Sequence, residues 1–332
     1  MDYKKPQSTL VQGGVGLYPL TTADQVILAD GSRLEKDGRI SADSAANSAK
    51  LGGKAPEYYL QPRNLLDNSD FRKPVNQRGQ TSYNSVGYTI DRWTKESNAI
   101  LTISDDCINI DNSANSTEEV IIQKVDSDTA AKLIGKTVTI AICTSDGTVY
   151  ANSGVVAYDV PVALIEHNGF TFQLQFFRTA ESYQVARLII WIGANISVKW
   201  AALYEGSYTA DTLPPYVSKG YAAELAECQR YFWLCDNSYF SEGCGYAFSP
   251  TECRFMISTP QTMRISPSII ADNNNTTSYG IKLIINSTTL TPTSVSVRRV
   301  NNRLCLTLLG KFTTNAVGVM RIESQLSFSA DL

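Results

Sequence analysis

Apolar and polar residues alternate in short runs along most of the chain, which is the period-two pattern of half-buried β-strands. Between residues 64 and 203 this pattern predicts strands at Ile100–Ser104, Glu119–Val125, Thr137–Thr144, Thr171–Phe177, Tyr183–Trp191 and Ile196–Tyr204. The pairs Asp146-Gly147 and Asn168-Gly169 lie between strand-like runs and predict two tight hairpin turns. Short, regularly spaced strands of this kind indicate a sandwich or a barrel.

Residues 236–332 repeat the pattern and predict a second β domain. Its strand candidates are Tyr246–Phe248, Cys253–Ser258, Ser268–Ala271, Ile281–Ile285, Ser294–Val300, Leu304–Leu309 and Val317–Ser327. The Asn-rich run that begins at Asp272 is too polar to pack, so we expect an exposed loop there.

A linker and a short helix are predicted between the two β domains. Pro214 and Pro215 lack amide donors, which excludes regular structure and places the domain boundary within residues 205–220. Ser218 is a suitable N-cap for the helix that follows. We predict that the apolar face of this helix covers the second β domain and consists of Tyr221, Leu225, Cys228 and Phe232.

The N-terminal residues carry too little apolar surface to fold alone. Val26–Leu28, Leu51 and Tyr58–Tyr59 would need a surface outside their own chain, which the other chains of a trimer can supply. The alternative is a flexible linker. The predicted organisation is thus an extended segment (1–62), a sandwich (63–207), a linker with a helix (208–235) and a second sandwich (236–332).

Composition and charge narrow the function classes. Hydrophobic residues make up 43% and charged residues 18% of the 332 residues, and the net charge is −3. This charge gives no reason to expect binding to nucleic acid or to an anionic membrane. No apolar run approaches the length of a spanning helix, and the N-terminus lacks a signal peptide's apolar core. We therefore expect synthesis in a cytoplasm without export.

Candidate catalytic and metal-binding residues are few. The seven cysteines include no Cys-x-x-Cys pair and are expected to be free, mostly buried thiols. The only histidine, His167, precedes the Asn168-Gly169 turn and is interpreted as a turn residue. The adjacent carboxylates Asp105-Asp106 and Glu118-Glu119 would diverge on a strand, and both pairs are interpreted as solvated turn or edge residues. We predict no enzyme and no cofactor, and we expect the tryptophans at 93, 191, 200 and 233 to be buried.

Four segments resemble tail-fibre and receptor-binding proteins of tailed bacteriophages and prophages. The first contains Trp200-Ala-Ala-Leu-Tyr-Glu-Gly, Thr-Leu-Pro-Pro-Tyr and Glu224-Leu-Ala-Glu-Cys-Gln-Arg-Tyr-Phe232, although Leu-Pro-Pro-Tyr replaces the usual Pro-Arg-Pro. The second is Leu51-Gly-Gly-Lys-Ala-Pro-Glu-Tyr-Tyr59, an element repeated along many tail fibres. The third combines Asn64-Leu-Leu-Asp-Asn-Ser-Asp-Phe-Arg72, Asn76-Gln-Arg-Gly79 and Tyr88-Thr-Ile-Asp-Arg-Trp93, which resembles the opening of jelly rolls related to carbohydrate-binding modules. The fourth is Thr259-Pro-Gln-Thr-Met-Arg-Ile-Ser-Pro-Ser-Ile269.

The resemblance implies an all-β virion protein with two tandem, jelly-roll-like β-sandwiches. It implies a homotrimer that joins other tail or baseplate proteins through its N-terminal segment and binds a host surface glycan without cleaving it. A glycan-degrading tail spike and a bacterial surface adhesin are the alternatives. The chain shows no internal repeat of the kind that a β-helix depolymerase carries, and it lacks an export signal.

Sugar rings stack on aromatic side chains while amides and carboxylates bind their hydroxyls, so exposed aromatics are the candidate binding residues. Candidates in the second β domain are Tyr239, Phe240, Tyr246 and Tyr279; on loops of the first they are Tyr83 and Asn84. Asp67, Asn68 and Asp70 carry the hard oxygen ligands of a calcium site, but an Asn-Ser-Asp turn needs no ion.

Overall fold

The all-β prediction is confirmed. The computed structural model of the chain describes residues 62–125, 127–176, 184–235, 244–271, 281–285, 288–312, 316–322 and 326–330, and four short strands before residue 36. Two compact units result: residues 1–62 with 212–216, and residues 63–211 with 217–332. In the first unit the described strands form two antiparallel pairs, β1 (Leu10–Gln12) with β2 (Val15–Leu17) and β3 (Gln25–Ile27) with β4 (Arg33–Glu35). Leu51 and Tyr58–Tyr59 lie outside the described residues.

Residues 63–211 form the first sandwich. Its strands are β5 (Ser82–Tyr83), β6 (Gly87–Tyr88), β7 (Trp93–Lys95), β8 (Ile100–Ile103), β9 (Ile108–Asp111), β10 (Glu119–Val125), β11 (Thr137–Thr144), β12 (Val149–Val155), β13 (Pro161–His167), β14 (Phe170–Gln175), β15 (Gln184–Ile190) and β16 (Asn195–Glu205). One helix, α1 (Ser127–Leu133), follows β10. The two six-stranded sheets have the orders β13-β14-β15-β10-β7-β6 and β12-β11-β16-β9-β8-β5.

The core of the first sandwich lies between these sheets, because inward-facing residues alternate along their strands. Trp93 and Trp200 are buried, as expected, and Trp93 packs edge-on against Phe71 at 5.2 Å. The expectation for Trp191 is wrong, since this side chain is 38% exposed. It lies one residue beyond β15, where its indole N–H donates to Thr171 Oγ1 at 3.1 Å.

Both predicted hairpin turns are present. Gly147 (φ 89°) lies between β11 and β12, and Gly169 (φ 90°) lies between β13 and β14. These φ values favour glycine over any residue with a Cβ. The strands β12 and β13 were not predicted, because Val149–Val155 contains small and polar residues and Pro161 is the first residue of β13. Both are edge strands, where proline and mixed polarity are tolerated.

The described residues between 232 and 330 form the second sandwich. The strands are β17 (Phe232–Cys235), β18 (Cys244–Ser249), β19 (Glu252–Ser258), β20 (Ser268–Ala271), β21 (Ile281–Ile285), β22 (Thr288–Leu290), β23 (Ser294–Val300), β24 (Arg303–Leu309), β25 (Val317–Ile322) and β26 (Leu326–Ser329). The larger sheet has the order β22-β21-β25-β18-β19-β24-β23, and the smaller has the order β17-β26-β20. Phe255, Leu306 and Phe328 are fully buried in the core between them.

The prediction of one strand over Val317–Ser327 is wrong. β25 pairs with β18 and β21 in the larger sheet, whereas β26 pairs with β17 and β20 in the smaller one. The chain therefore changes sheets within a run of continuous strand-like sequence. A period-two pattern carries no information about which sheet a strand joins.

The predicted helix exists as α2 (Tyr221–Cys228). Its predicted buried face is right at Cys228 and Phe232, which are buried, and wrong at Tyr221. Tyr221 is 57% exposed, whereas Glu224 and Cys228 are buried. Gly220, not Ser218, is the N-cap residue, and Ser218 Oγ instead accepts a hydrogen bond from the Gly220 N–H at 3.2 Å. The Glu224 carboxylate can be buried because it accepts a backbone N–H. The spacing of apolar residues does not predict such a contact.

The helix α2 packs against the first sandwich, not against the second as predicted. Glu224 Oε2 accepts the backbone N–H of Asn68 at 2.7 Å, and burial raises the pKa of Glu224. Lys219 donates to Leu66 O at 3.1 Å and to Glu227 at 2.8 Å. Arg63 binds the other oxygen of Glu227 at 3.0 Å. Polar groups thus hold this helix on the first sandwich.

The strand β17 continues from α2 into the second sandwich while keeping contacts with the first. Phe232 pairs with Ser329 of β26, and Trp233 stacks on Phe328 at 5.3 Å. On the side of the first sandwich, Gln77 Nε2 donates to Phe232 O at 2.8 Å. The Arg78 guanidinium lies 3.9 Å from the centre of the Phe232 ring. We call residues 217–235 the joint, because they contact both sandwiches.

Most of the segments that carry the phage resemblance meet at the joint. Asn68, Gln77 and Arg92 come from the 64–93 series, and each contacts α2 or the residues directly after it. Arg264, from the fourth segment, donates its backbone N–H to Arg230 O at 2.8 Å. These residues therefore connect the sandwiches.

Six cysteines are described at the side-chain level; all six are free thiols, and five of them are buried, as expected. In the described part of the chain, neither helix is long and apolar enough to cross a membrane.

Candidate functional site

A groove of about 480 Å³ lies on the outer face of the seven-stranded sheet. Its floor and walls come from five consecutive strands of this sheet, β25, β18, β19, β24 and β23. They consist of Gly245, Tyr246, Phe248, Arg254, Met256, Arg298, Val300, Cys305 and Val317. The groove is mainly apolar, and its few polar groups belong to tyrosine and arginine side chains.

Strand alternation explains why two aromatic side chains face outward here. In β18, Gly245 and Ala247 are buried against the core, so Tyr246 and Phe248 point to the opposite side. Their exposed fractions are 39% and 53%. Adjacent exposed aromatics on a sheet face are informative, because a folded chain gains stability by burying such side chains.

The two aromatic rings form a fixed corner. Their centroids are 5.2 Å apart and their planes are inclined at 85°. The guanidinium of Arg254, on the neighbouring strand β19, lies 4.8 Å from the centre of the Phe248 ring. Arg254 Nε also contacts Glu252 Oε1 at 2.5 Å, which fixes the arginine next to the ring. A ring-shaped ligand can stack on one aromatic face while the other closes the side of the groove.

Arg298 supplies the groove with a second guanidinium. It lies on the edge strand β23, opposite Cys305 of β24, and is exposed. Within the described residues it has no ion-pair partner, in contrast to Arg254. Its neighbour Arg299 donates to Met263 O at 2.5 Å and to Arg264 O at 2.7 Å. Arg299 therefore holds the backbone at residues 263 and 264 in place. Arg298 is therefore available to bind hydroxyl or anionic groups of a ligand.

The structure separates the predicted binding residues. Tyr246 lies in the groove. Tyr83 is not an exposed loop residue as predicted: it is only 5% exposed, belongs to the core of the first sandwich, and donates its hydroxyl to Asn76 Oδ1. Burial raises the pKa of Tyr83 to about 12. Asn84, the next residue, is exposed on the first sandwich and far from the groove in sequence. Tyr239, Phe240 and Tyr279 lie outside the described residues.

Phe248, Arg254 and Arg298 were not predicted as site residues. Phe248 could have been found, because it follows Tyr246 by two positions within a predicted strand and must share its face. Arg254 and Arg298 could not have been found, because only the order of strands in the sheet places the side chains of β19 and β23 beside Tyr246. No local pattern encodes that order.

The candidate calcium ligands are occupied by groups of the protein itself. Arg92 binds Asp67 Oδ2 at 3.1 Å, and Arg72 binds Asp70 at 2.6 and 2.9 Å. Burial would raise the pKa of Asp67, but Arg92 and Lys219 hold it below its usual value. Asn68 Oδ1 accepts the Val75 N–H at 2.7 Å. No group of histidine, cysteine and carboxylate side chains in the described ranges is arranged to hold a metal ion.

His167 lies at the end of β13, beside the predicted turn. Its Nε2 lies 2.9 Å from the Tyr150 hydroxyl, and the two rings are 4.4 Å apart. Phe170 packs edge-on against His167 at 5.8 Å. This small aromatic cluster fixes the hairpin.

A second, more enclosed cavity lies beside the joint and is lined by charged groups of the first sandwich and α2. Comparisons with protein-family models, curated proteins and solved structures found no match to this chain. A function is therefore inferred from the groove, the cavity and the sequence resemblance.

Proposed function

We propose that this chain is a non-enzymatic receptor-binding protein of a phage tail fibre, and that its groove binds a glycan on the host surface. The observation that carries this proposal is the corner formed by Tyr246 and Phe248, flanked by Arg254 and Arg298. Saccharides present apolar ring faces and hydroxyl edges, which match exposed aromatic rings and guanidinium donors. The four segments that resemble phage tail-fibre proteins support a location in the virion.

The joint suits such a role, because a binding surface at the end of a fibre has to be held firmly. Backbone and side-chain contacts tie the joint to the first sandwich, and β17 is itself a strand of the second. A ligand bound in the groove is thereby linked to the first sandwich through paired backbone and buried aromatic contacts. We propose that other tail or baseplate proteins attach through residues 1–62.

A glycan array of bacterial surface polysaccharides tests the proposal. The full chain should bind a subset of glycans and release no oligosaccharide from them on prolonged incubation. Release of oligosaccharide would contradict the non-enzymatic proposal and favour a depolymerase. Failure to bind any glycan, with the chain folded, would contradict glycan recognition.

We also propose that the chain is a homotrimer, in which the sparse apolar residues of the N-terminal segment pack between copies. Light scattering on the full chain should then give three times the chain mass of 36.4 kDa. The same mass should persist on dilution to micromolar concentration. A monomer there would contradict the trimer and weaken the fibre role.

A further inference from the structure

A polar cavity of about 280 Å³ lies where the first sandwich meets α2. Four separate segments form its walls: residues 63–67, Arg92 just before β7, the end of β10 with α1, and the end of α2 with Arg230 and Tyr231. It is separate from the groove, which lies on the second sandwich and shares none of its residues. The proposed function assigns it no role.

The inner wall of the cavity is held rigidly by Arg92. This residue has a φ of 72°, a left-handed conformation that residues with side chains rarely adopt and that only firm surroundings maintain. Its guanidinium binds Asp67 at 3.1 Å and Lys124 O at 2.7 Å. The same group lies 3.5 Å from the centre of the buried Tyr231 ring. The cavity is therefore formed before any ligand arrives.

Positive charge exceeds negative charge around the cavity. Four of its side chains are cations and three are carboxylates, which leaves a net charge of +1. Two carboxylates are already neutralised by the protein: Asp67 by Arg92, and Glu227 by Arg63 at 3.0 Å and by Lys219 at 2.8 Å. The third, Asp128, lies on α1 with Lys132 and is included in the net charge of +1. The two remaining cations, Lys132 and Arg230, have no ion-pair partner among the described residues. They belong to opposite walls, one on α1 and one just after α2.

A further arginine, Arg264, does not line the cavity but lies beside the same tyrosine. The Arg264 guanidinium lies 5.9 Å from the centre of the Tyr231 ring, and its buried Nε has no hydrogen-bond partner in the described part of the chain. Arg92, Arg230 and Arg264 thus surround one tyrosine. Arg92 is buried, whereas Lys132 and Arg230 are exposed, and this excess of cations attracts anions.

We propose that this cavity binds one acidic sugar residue, with its carboxylate between Lys132 and Arg230. The volume suits a single six-membered ring but no longer oligosaccharide. Gln123 also lines the cavity, and its amide is held in place because its Oε1 accepts the Asp67 N–H and its Nε2 donates to Asp67 O. Because its walls come from both the sandwich and α2, a bound ligand also strengthens the attachment of the joint.

Isothermal titration of the full chain with D-glucuronate tests the proposal, with D-glucose and inorganic phosphate as the other two probes. Glucuronate should bind saturably and raise the melting temperature of the chain, whereas glucose and phosphate should each bind at least about tenfold more weakly. Lys132→Ala and Arg230→Ala should each weaken glucuronate binding about tenfold, the effect of losing one hydrogen bond to a charged group.

Lys136→Ala is the matched control. Lys136 is an exposed lysine close to α1, it pairs with Glu205 at 2.7 Å, and it does not line the cavity. It should leave glucuronate binding unchanged. Both cavity variants remove exposed side chains, so their melting curves without ligand should match the wild type. The proposal is overturned if glucuronate does not bind, if glucose or phosphate binds equally well, or if Lys136→Ala weakens binding as much as Lys132→Ala.

Discussion

Glu119→Ala should destabilise the first sandwich by about 3–5 kcal/mol, which is the usual cost of removing one member of a buried ion pair. The interpretation of Glu119 as a solvated residue is wrong: Lys95 and Glu119 are both fully buried, and their charged atoms are 3.7 Å apart. Glu119 also accepts the N–H groups of Ser97 at 3.1 Å and Ala99 at 2.7 Å. The variant leaves these donors and a buried ammonium group without the carboxylate. Urea unfolding followed by circular dichroism measures the loss.

The pH dependence of this variant follows from the Lys95 pKa. Burial already holds that pKa below its usual value, although Glu119 opposes the shift. Without Glu119 the pKa falls further, so folded Lys95 releases its proton at a lower pH than unfolded Lys95 does. The unfolded state then binds more protons, and the stability of the variant should rise with pH across that interval.

Glu205→Ala is the control, because Glu205 forms an exposed pair with Lys136 at 2.7 Å. Exposed pairs contribute about 0–1 kcal/mol. Equal losses in the two variants would show that burial of the Lys95–Glu119 pair has no energetic importance.

Phe232→Ala should cost about 3–5 kcal/mol, the usual range for truncating a buried phenylalanine, and should separate the unfolding of the two sandwiches. Phe232 is 4% exposed, belongs to β17, and lies beneath the Arg78 guanidinium. Its truncation removes packing on both sides of the joint. We expect a single calorimetric transition for residues 63–332 in the wild type and two transitions in the variant.

Tyr221→Ala is the matched control for Phe232→Ala. This tyrosine is the first residue of α2 and is 57% exposed, so its removal should change stability by no more than about 0.5 kcal/mol. A wild type that already melts in two transitions would show that the joint does not couple the sandwiches.

Much of the fold could be predicted from the sequence, because each strand's pattern is local. Glu119–Val125 and Thr137–Thr144 were predicted with their observed bounds, and glycines at turn positions located both hairpins. The sheet that each strand joins could not be predicted, as β25 and β26 demonstrate. Pairing partners depend on contacts between residues distant in sequence.

The buried face of α2 is a second feature that local sequence patterns do not encode. Spacing of apolar residues favoured Tyr221 as a buried residue of α2, whereas Glu224 is buried instead. A carboxylate is stable there because the Asn68 N–H, 156 positions away in sequence, donates to it. The site has the same limit: Tyr246 was a candidate from composition, but Arg298 joins it only through the order of strands in the sheet.

The central claim is that the corner formed by Tyr246 and Phe248 binds the glycan, and the glycan array tests it most directly when run with variants of the full chain. Phe248→Ala and Tyr246→Ala should each lower the affinity for every glycan that the wild type binds by about tenfold, equivalent to about 1.4 kcal/mol. Tyr221→Ala, which removes an exposed tyrosine far from the groove in sequence, should bind like the wild type. Full binding by both groove variants would contradict the claim, as would an equal loss in Tyr221→Ala.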